Sequence, residues 1–224
     1  MVPLGRVTKF IRQLTHDVRN GLSAIDLESA FIAELVSDPE ASDEIRKLRN
    51  MVSNTARMLR EISLNFQPVT LHKMAWGAAT FFGELQGRVQ RQFADESGLE
   101  IESTLNGEQV DIDLEQMVIS VINVLRNAFQ FRREGTPVRF TGFVEGEAIV
   151  LETVEPKETL ESHVPPEMWG VEPMFTTRPG GYGLGLYRTR QIVESHGGKL
   201  EIHYRDGALI TRIVLPICRE REIT

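Results

Sequence analysis

Within Gln13-Leu-Thr-His-Asp-Val-Arg-Asn20 the chain places an imidazole (His16), a carboxylate (Asp17) and an amide (Asn20) close together. Far downstream, Gly181-Tyr-Gly-Leu-Gly-Leu186 sets three glycines ahead of helix-compatible sequence. A carboxylate beside an imidazole fixes its tautomer and frees the other ring nitrogen to attack. An amide one turn on can orient water or a phosphoryl oxygen. A glycine-rich loop running into a helix offers backbone N–H groups and the positive end of the helix dipole to phosphate. The chemistry these two segments share is phosphoryl transfer onto or through His16.

The helical wheel supports a chemical role for the histidine. His16 lies two residues from Leu14 and from Val18, hence roughly 200° around a helix from each. Its neighbours on that face are Arg12, Arg19, Asn20 and Ser23, all polar. A core histidine is therefore disfavoured, and Asp17 and Asn20 distinguish His16 from an idle surface histidine.

Two long helices are needed to carry it. Ile11, Leu14, Val18, Leu22, Ile25, Ile32 and Leu35 recur at helical spacings and form one apolar stripe. Ser37-Asp-Pro-Glu40 breaks the run. Ile45, Leu48, Val52, Thr55, Leu59, Ile62 and Phe66 then alternate by three and four, as in a coiled-coil seam, until Pro68. The short connection predicts an antiparallel hairpin over 1–68, and its exposed stripes predict a homodimer closed as a four-helix bundle.

From residue 69 the pattern changes. It predicts a strand over 69–76, a helix over 77–96, and a strand over 99–105 turned into a hairpin by Asn106-Gly107. A helix follows over 114–131, on which Asn123 and Asn127 share a face. Strands over 138–144 and 148–154 form a hairpin, and 155–179 reads as an irregular loop. A helix over 184–196 ends at Gly197-Gly198, and strands over 199–205 and 208–216 close a last hairpin through Asp206-Gly207. The fold class is α+β: a helical hairpin followed, over 69–224, by an α/β sandwich.

Composition narrows the partners. A net charge of -7 argues against a nucleic-acid partner, which would need clustered Lys and Arg. No apolar run reaches the ~20 residues needed to span a membrane, and the N-terminal residues lack a signal-peptide core. One cysteine, Cys218, cannot form an internal disulfide and is expected to be a small buried hydrophobe. These features predict a cytoplasmic protein without its own sensor domain, which takes any stimulus from a separate sensor protein.

The segment Phe10-Ile-Arg-Gln-Leu-Thr-His-Asp-Val-Arg-Asn-Gly-Leu-Ser-Ala-Ile25 resembles the H-box of two-component sensor histidine kinases. Asn123-Val-Leu-Arg-Asn-Ala-Phe-Gln-Phe131 resembles their N-box, Glu172-Pro-Met-Phe-Thr-Thr-Arg178 their F-box and Gly181-Tyr-Gly-Leu-Gly-Leu-Tyr187 their G2 box. The likeness runs from about Phe10 to Pro216 with the motifs in the family's order. It implies that His16 is the phosphoacceptor, Asp17 its acid/base partner, and Asn20 the amide used in dephosphorylating a response-regulator receiver domain. It further implies an ATP site at Asn123, Asn127, Thr177, Arg178, Gly181, Gly183, Leu184 and Gly185, with Asn127 holding Mg²⁺. Asn123 stands where hydrolytic relatives in the wider superfamily use Glu to activate water, which disfavours a hydrolytic ATPase.

Two departures stand out. Gly21 replaces the family's usual Pro, which predicts a weaker helix kink. The G1 box, Asp-x-Gly-x-Gly, is missing; in the family its Asp accepts a proton from the adenine amino group. Aligned on Val164-Pro-Pro166, this chain has Thr159 at the Asp and Glu161 and His163 at the glycines. Glu152 and Glu155 are the carboxylates available in a shifted register. Three readings follow from these residues. One is a kinase that autophosphorylates His16 with ATP and passes the group to a receiver aspartate. Another is an ATP-independent histidine phosphotransferase, and the last is a scaffold that binds receivers without chemistry.

Overall fold

The computed structural model describes residues 4–160, 164–173 and 183–218, with the backbone alone for residues 4–12, 60 and 61. The chain divides into two compact units, Met1–Pro68 and Val69–Thr224.

The first unit is a helical hairpin of α1 (Leu4–Leu35) and α2 (Pro39–Asn65). Asp38 caps α2, its carboxylate accepting the Glu40 N–H at 3.3 Å, and Pro39 supplies the fixed φ that a first helical position favours. The short connection turns α2 back along α1, and Asp26 meets Arg49 at 3.0 Å across the pair. Helix α1 continues through Gly21 without interruption. Among the described side chains of this unit, Thr15 and Ser29 on α1, Val52 and Ser63 on α2, and Phe66 just beyond it are buried. The larger apolar residues stay outside, with Leu14 50% and Leu35 67% exposed.

The second unit is a five-stranded sheet covered on one face by three helices. In chain order it contains β1 (Met74–Gly77), α3 (Ala78–Gln92), β2 (Leu99–Ser103), β3 (Gln109–Ile112) and α4 (Leu114–Phe131). It continues with β4 (Val138–Glu145), β5 (Ala148–Pro156), α5 (Gly185–Ser195), β6 (Lys199–Arg205) and β7 (Ala208–Pro216). The large sheet has the order β2-β4-β5-β7-β6, and β1 pairs with β3 in a separate two-stranded sheet. Strand alternation sends Ile149 and Leu151 of β5 into the core with Phe140, Ile213 and Leu215. There they meet Phe81 and Leu85 of α3, Met117 and Leu125 of α4, and Val193 of α5.

The hairpin expected at Asn106-Gly107 does not form. Strand β2 instead runs parallel to β4, with Leu99 opposite Val138, while β3 pairs with β1. The turn has another use: the Glu108 and Asn106 carbonyls accept the Ala78 and Ala79 N–H groups at the start of α3, at 2.7 and 3.4 Å. Those donors have no partner inside their own helix. Pairing with β4 also gives Leu99 and Ile101 a packed face, which a two-stranded hairpin could not.

Gly142 on β4 admits the aromatic layer. A Cβ there would stand 2.5 Å from the ring of Phe82, which stacks on Phe140 at 5.4 Å between centroids. Both rings are nearly fully buried, so relief requires backbone movement. Gly142→Ala is expected to destabilise the protein by ~1–3 kcal/mol through overpacking. Denaturant titration measures this, with a fall in midpoint and an unchanged slope.

Candidate phosphotransfer and nucleotide sites

His16 stands on the exposed surface of α1, its side chain 63% accessible. Its Nδ1 lies 3.1 Å from Asp17 Oδ1 and 3.5 Å from Asn20 Nδ2. The shorter contact has a charged acceptor and sets the tautomer: Nδ1–H donates to Asp17, leaving the Nε2 lone pair free. Gln13 completes the group by donating from Nε2 to both Asp17 oxygens, at 3.0 and 3.2 Å. The His16 hydrogen bond, and after it that of Gln13, holds the Asp17 carboxyl below the usual aspartate range. The structure thus brings His16, Asp17 and Asn20 together on one surface. Gln13 is a fourth member that the motif reading passed over, although its spacing of four from Asp17 was the available signal.

In the second unit, Asn123 and Asn127 are half-buried on α4. Gly185 opens α5 against Asn123; a Cβ on it would lie 3.9 Å from the Asn123 side-chain amide carbon, and a longer side chain would run into that amide. Gly183 has φ +60°, a conformation that glycine adopts without penalty. Leu184 is buried and brings no side-chain hydrogen bond to the start of α5. The first N–H groups of α5 are thereby presented beside Asn123. Thr177, Arg178 and Gly181 lie outside the described residues.

At the opposite end of α5, His196 is 4% exposed. Its ring Nδ1 lies 2.8 Å from the Ile192 carbonyl and its Nε2 3.0 Å from the Asp113 backbone nitrogen. A carbonyl only accepts and an amide N–H only donates, so Nδ1 carries the proton and Nε2 is bare. His196 is a neutral structural residue, as its position at the helix end predicts. Asp113 in turn caps α4, accepting N–H groups from Gln116 at 3.1 Å and His72 at 2.7 Å.

Thr159 is exposed in the segment beyond β5, and Glu161 and His163 lie outside the described residues. Glu152 faces away from the helices, 3.4 Å from Arg212, which also meets Glu145 and Glu201. Glu155 is the buried carboxylate at the end of β5, 3.0 Å from Lys157 Nζ. Cys218 is half-buried, and its backbone N–H donates to the Gln109 carbonyl.

No family model matches the chain. Individual proteins do. Sensor histidine kinase YclK of Bacillus subtilis is 26% identical over 216 residues, covering 90% of this chain and 45% of that protein. The sensory histidine kinase/phosphatase NtrB of Escherichia coli O157:H7 is 25% identical over 224 residues, 92% of this chain and 61% of its own length. Full-length ShkA in complex with AMPPNP superposes with a TM-score of 0.69 at 16% identity, over 94% of this chain and 46% of ShkA. Over nearly its whole length the chain is thus similar to the histidine kinases of two-component signalling. The catalytic domain of histidine kinase ThkA matches at a TM-score of 0.55 and 19% identity, over 65% of this chain and 96% of that domain. The chain spans only about half the length of YclK. Among its described residues no helix is long and apolar enough to cross a membrane.

The similarity to histidine kinases implies ATP and Mg²⁺. Asn123, Gly183, Gly185 and the opening turn of α5 fit a phosphate chain, since N–H groups and an amide converge there. Asn127 fits Mg²⁺, which takes few protein ligands when phosphates supply the rest. The buried Glu155 fits an amino group, although Lys157 already engages it.

The His196 contact carries a pH signature. Burial holds its pKa below the ordinary histidine value, and the nearby Lys73 acts in the same direction against Ile192, Asp113 and Asp111. The unfolded chain therefore binds the proton more readily. The contribution to stability is full above about pH 6.5 and is lost as pH falls toward the lowered folded value. Thermal melts from pH 7.5 to pH 5.5 are expected to show a falling midpoint, with a shallower slope in His196→Gln. Equal slopes would contradict the assignment.

Proposed function

We propose that this chain is the catalytic core of a two-component histidine kinase, that His16 receives the phosphoryl group at Nε2, and that the acceptor from His16 is an aspartate of a response-regulator receiver. The observation that carries the reading is the state of His16: exposed, with Nδ1 held by Asp17 and Nε2 free. The similarity to sensor histidine kinases favours it over ATP-independent phosphotransfer and over a passive scaffold.

Each residue then has a physical task. Asp17 keeps the proton on Nδ1 and stabilises the positive charge that the ring gains as its lone pair forms the N–P bond. Gln13 orients Asp17. Asn20, one turn away, positions water or a phosphoryl oxygen for the reverse, dephosphorylating step. ATP with Mg²⁺ supplies the γ-phosphoryl group when bound. Asn127 would ligate the metal, and Asn123, Gly181, Gly183, Leu184 and Gly185 would hold the phosphate chain with Thr177 and Arg178. The chain's contribution is positioning and charge stabilisation, because phosphoryl transfer asks little covalent chemistry of the protein.

Incubation with [γ-³²P]ATP and Mg²⁺ is expected to give acid-labile label that His16→Ala abolishes. Asp17→Asn should slow labelling by ~10²-fold, the lower end of what a positioned proton-transfer partner contributes. An unlabelled wild type that nonetheless accepts phosphate from a phosphorylated receiver would instead establish the ATP-independent phosphotransferase.

The functional unit in this reading is a homodimer. Leu14, Val18, Ile25 and Ile32 line α1 with exposures of 39–50%, more apolar surface than a solvated helical pair ordinarily leaves in water. A second hairpin would cover it as a four-helix bundle. Ile25→Glu/Ile32→Glu is expected to shift the mass measured by light scattering from dimer to monomer, while leaving the 69–224 unit folded by circular dichroism.

A further inference from the structure

Strand alternation on β5 sends Ile149, Leu151, Thr153 and Glu155 to the core face. The last of these is a carboxylate only 4% exposed, and burial raises its pKa above the usual glutamate value. A buried carboxylate is tolerated only with a partner. Lys157 is that partner, with Nζ 3.0 Å from Glu155 Oε1.

The same ammonium makes two further contacts, both at the end of α4. It donates to the Phe131 carbonyl at 3.3 Å and stands 4.9 Å from the centre of the Phe131 ring. Its main chain is pinned independently: the Lys157 N–H donates to the Gly207 carbonyl at 2.8 Å, and its carbonyl accepts the Tyr204 hydroxyl at 3.0 Å. The side chain can therefore swing away while the backbone stays in register.

An inward carboxylate, an aromatic ring edge or face and a main-chain carbonyl are also what a flat heteroaromatic ring with an exocyclic amino group requires. The amino N–H would donate to the carboxylate, and the ring would pack on Phe131. At present Lys157 supplies the donor and the ring contact itself. We propose that Lys157 is a tethered occupant of the base subsite, and that an adenine base reaches Glu155 only by displacing the ammonium. This deepens the kinase reading and rests on it: the chain retains a nucleotide site whose affinity is set by an internal competitor. When the competent form is a minor fraction, apparent affinity falls by that fraction. A subsite open one time in ten therefore binds about tenfold more weakly than one freed of its occupant.

The test is a fluorescence titration of the full chain with methylanthraniloyl-ADP and with its inosine counterpart, which has no exocyclic amino group. Lys157→Ala is expected to tighten binding of the adenine nucleotide about tenfold or more and to leave the inosine nucleotide unchanged, while Lys157→Arg stays weak. Equal or weaker adenine binding by Lys157→Ala, or no binding by any form, overturns the proposal. A second measurement uses the unmodified protein, so a variant that fails to fold does not matter. Millimolar ADP should raise acetylation of Lys157 by an amine-reactive ester several-fold, read by peptide mass spectrometry; unchanged or reduced acetylation overturns the proposal. Both readouts are independent of transfer to His16. Competition by Lys157 without labelling of His16 would refute the kinase reading alone, and labelling without competition would refute this one alone.

Discussion

The antiparallel register of α4 against α5 is the constraint on which the placement of Gly185 opposite Asn123 depends. It is fixed at one end by His196, whose bare Nε2 takes the N–H of Asp113 at the start of α4. From there α4 rises about 15 Å to Asn123, and α5 runs back about 16 Å to Gly185, at 1.5 Å per residue. The two distances agree, so Gly185 arrives opposite Asn123. One buried hydrogen bond thus sets where the opening N–H groups of α5 lie along α4.

That bond has chemical conditions. The imidazole must be neutral, which burial favours, with its proton on Nδ1, which the Ile192 carbonyl accepts. Asp113 shares the junction by capping α4 and holding the His72 N–H, so the segment leading into the second unit is tied to the same point. A histidine that does no chemistry thus helps determine where Asn123 and the start of α5 stand. The histidine with a proposed chemical role is its opposite: exposed, with Nδ1 committed to Asp17 and Nε2 open.

The two units bury their sequences differently. In the 69–224 unit, strand and helix periodicities converge on one core in which aromatic packing leaves room for no Cβ at Gly142. In the hairpin, the buried positions include the small polar residues Thr15, Ser29 and Ser63, while large apolar residues face outward. Such a helical pair lacks the core of an independent domain, and hence its stability is linked to protomer concentration through the proposed dimer.

The helices, the last two hairpins and the trio of His16, Asp17 and Asn20 were legible in the residue order, because each depends on spacings shorter than two helical turns. The Asn106-Gly107 turn was legible as a turn but misleading as a hairpin, since a local signal cannot reveal that β4, some 35 residues on, offers β2 a better-packed partner. The carboxylates near the missing G1 box show the same limit. Residue order offered Thr159, Glu152 and Glu155 as alternatives, and only the pleat of β5 within its sheet separated them. It placed Glu152 on the face of Arg212 and buried Glu155 beside Lys157. By itself, then, the sequence determined the chemical groups and the elements that bear them, through periodicity and short-range hydrogen bonding. Which carboxylate is buried, which cation neutralises it and where α5 begins relative to Asn123 were decided by tertiary packing, because burial and long-range register come from surfaces that meet only when the chain is folded.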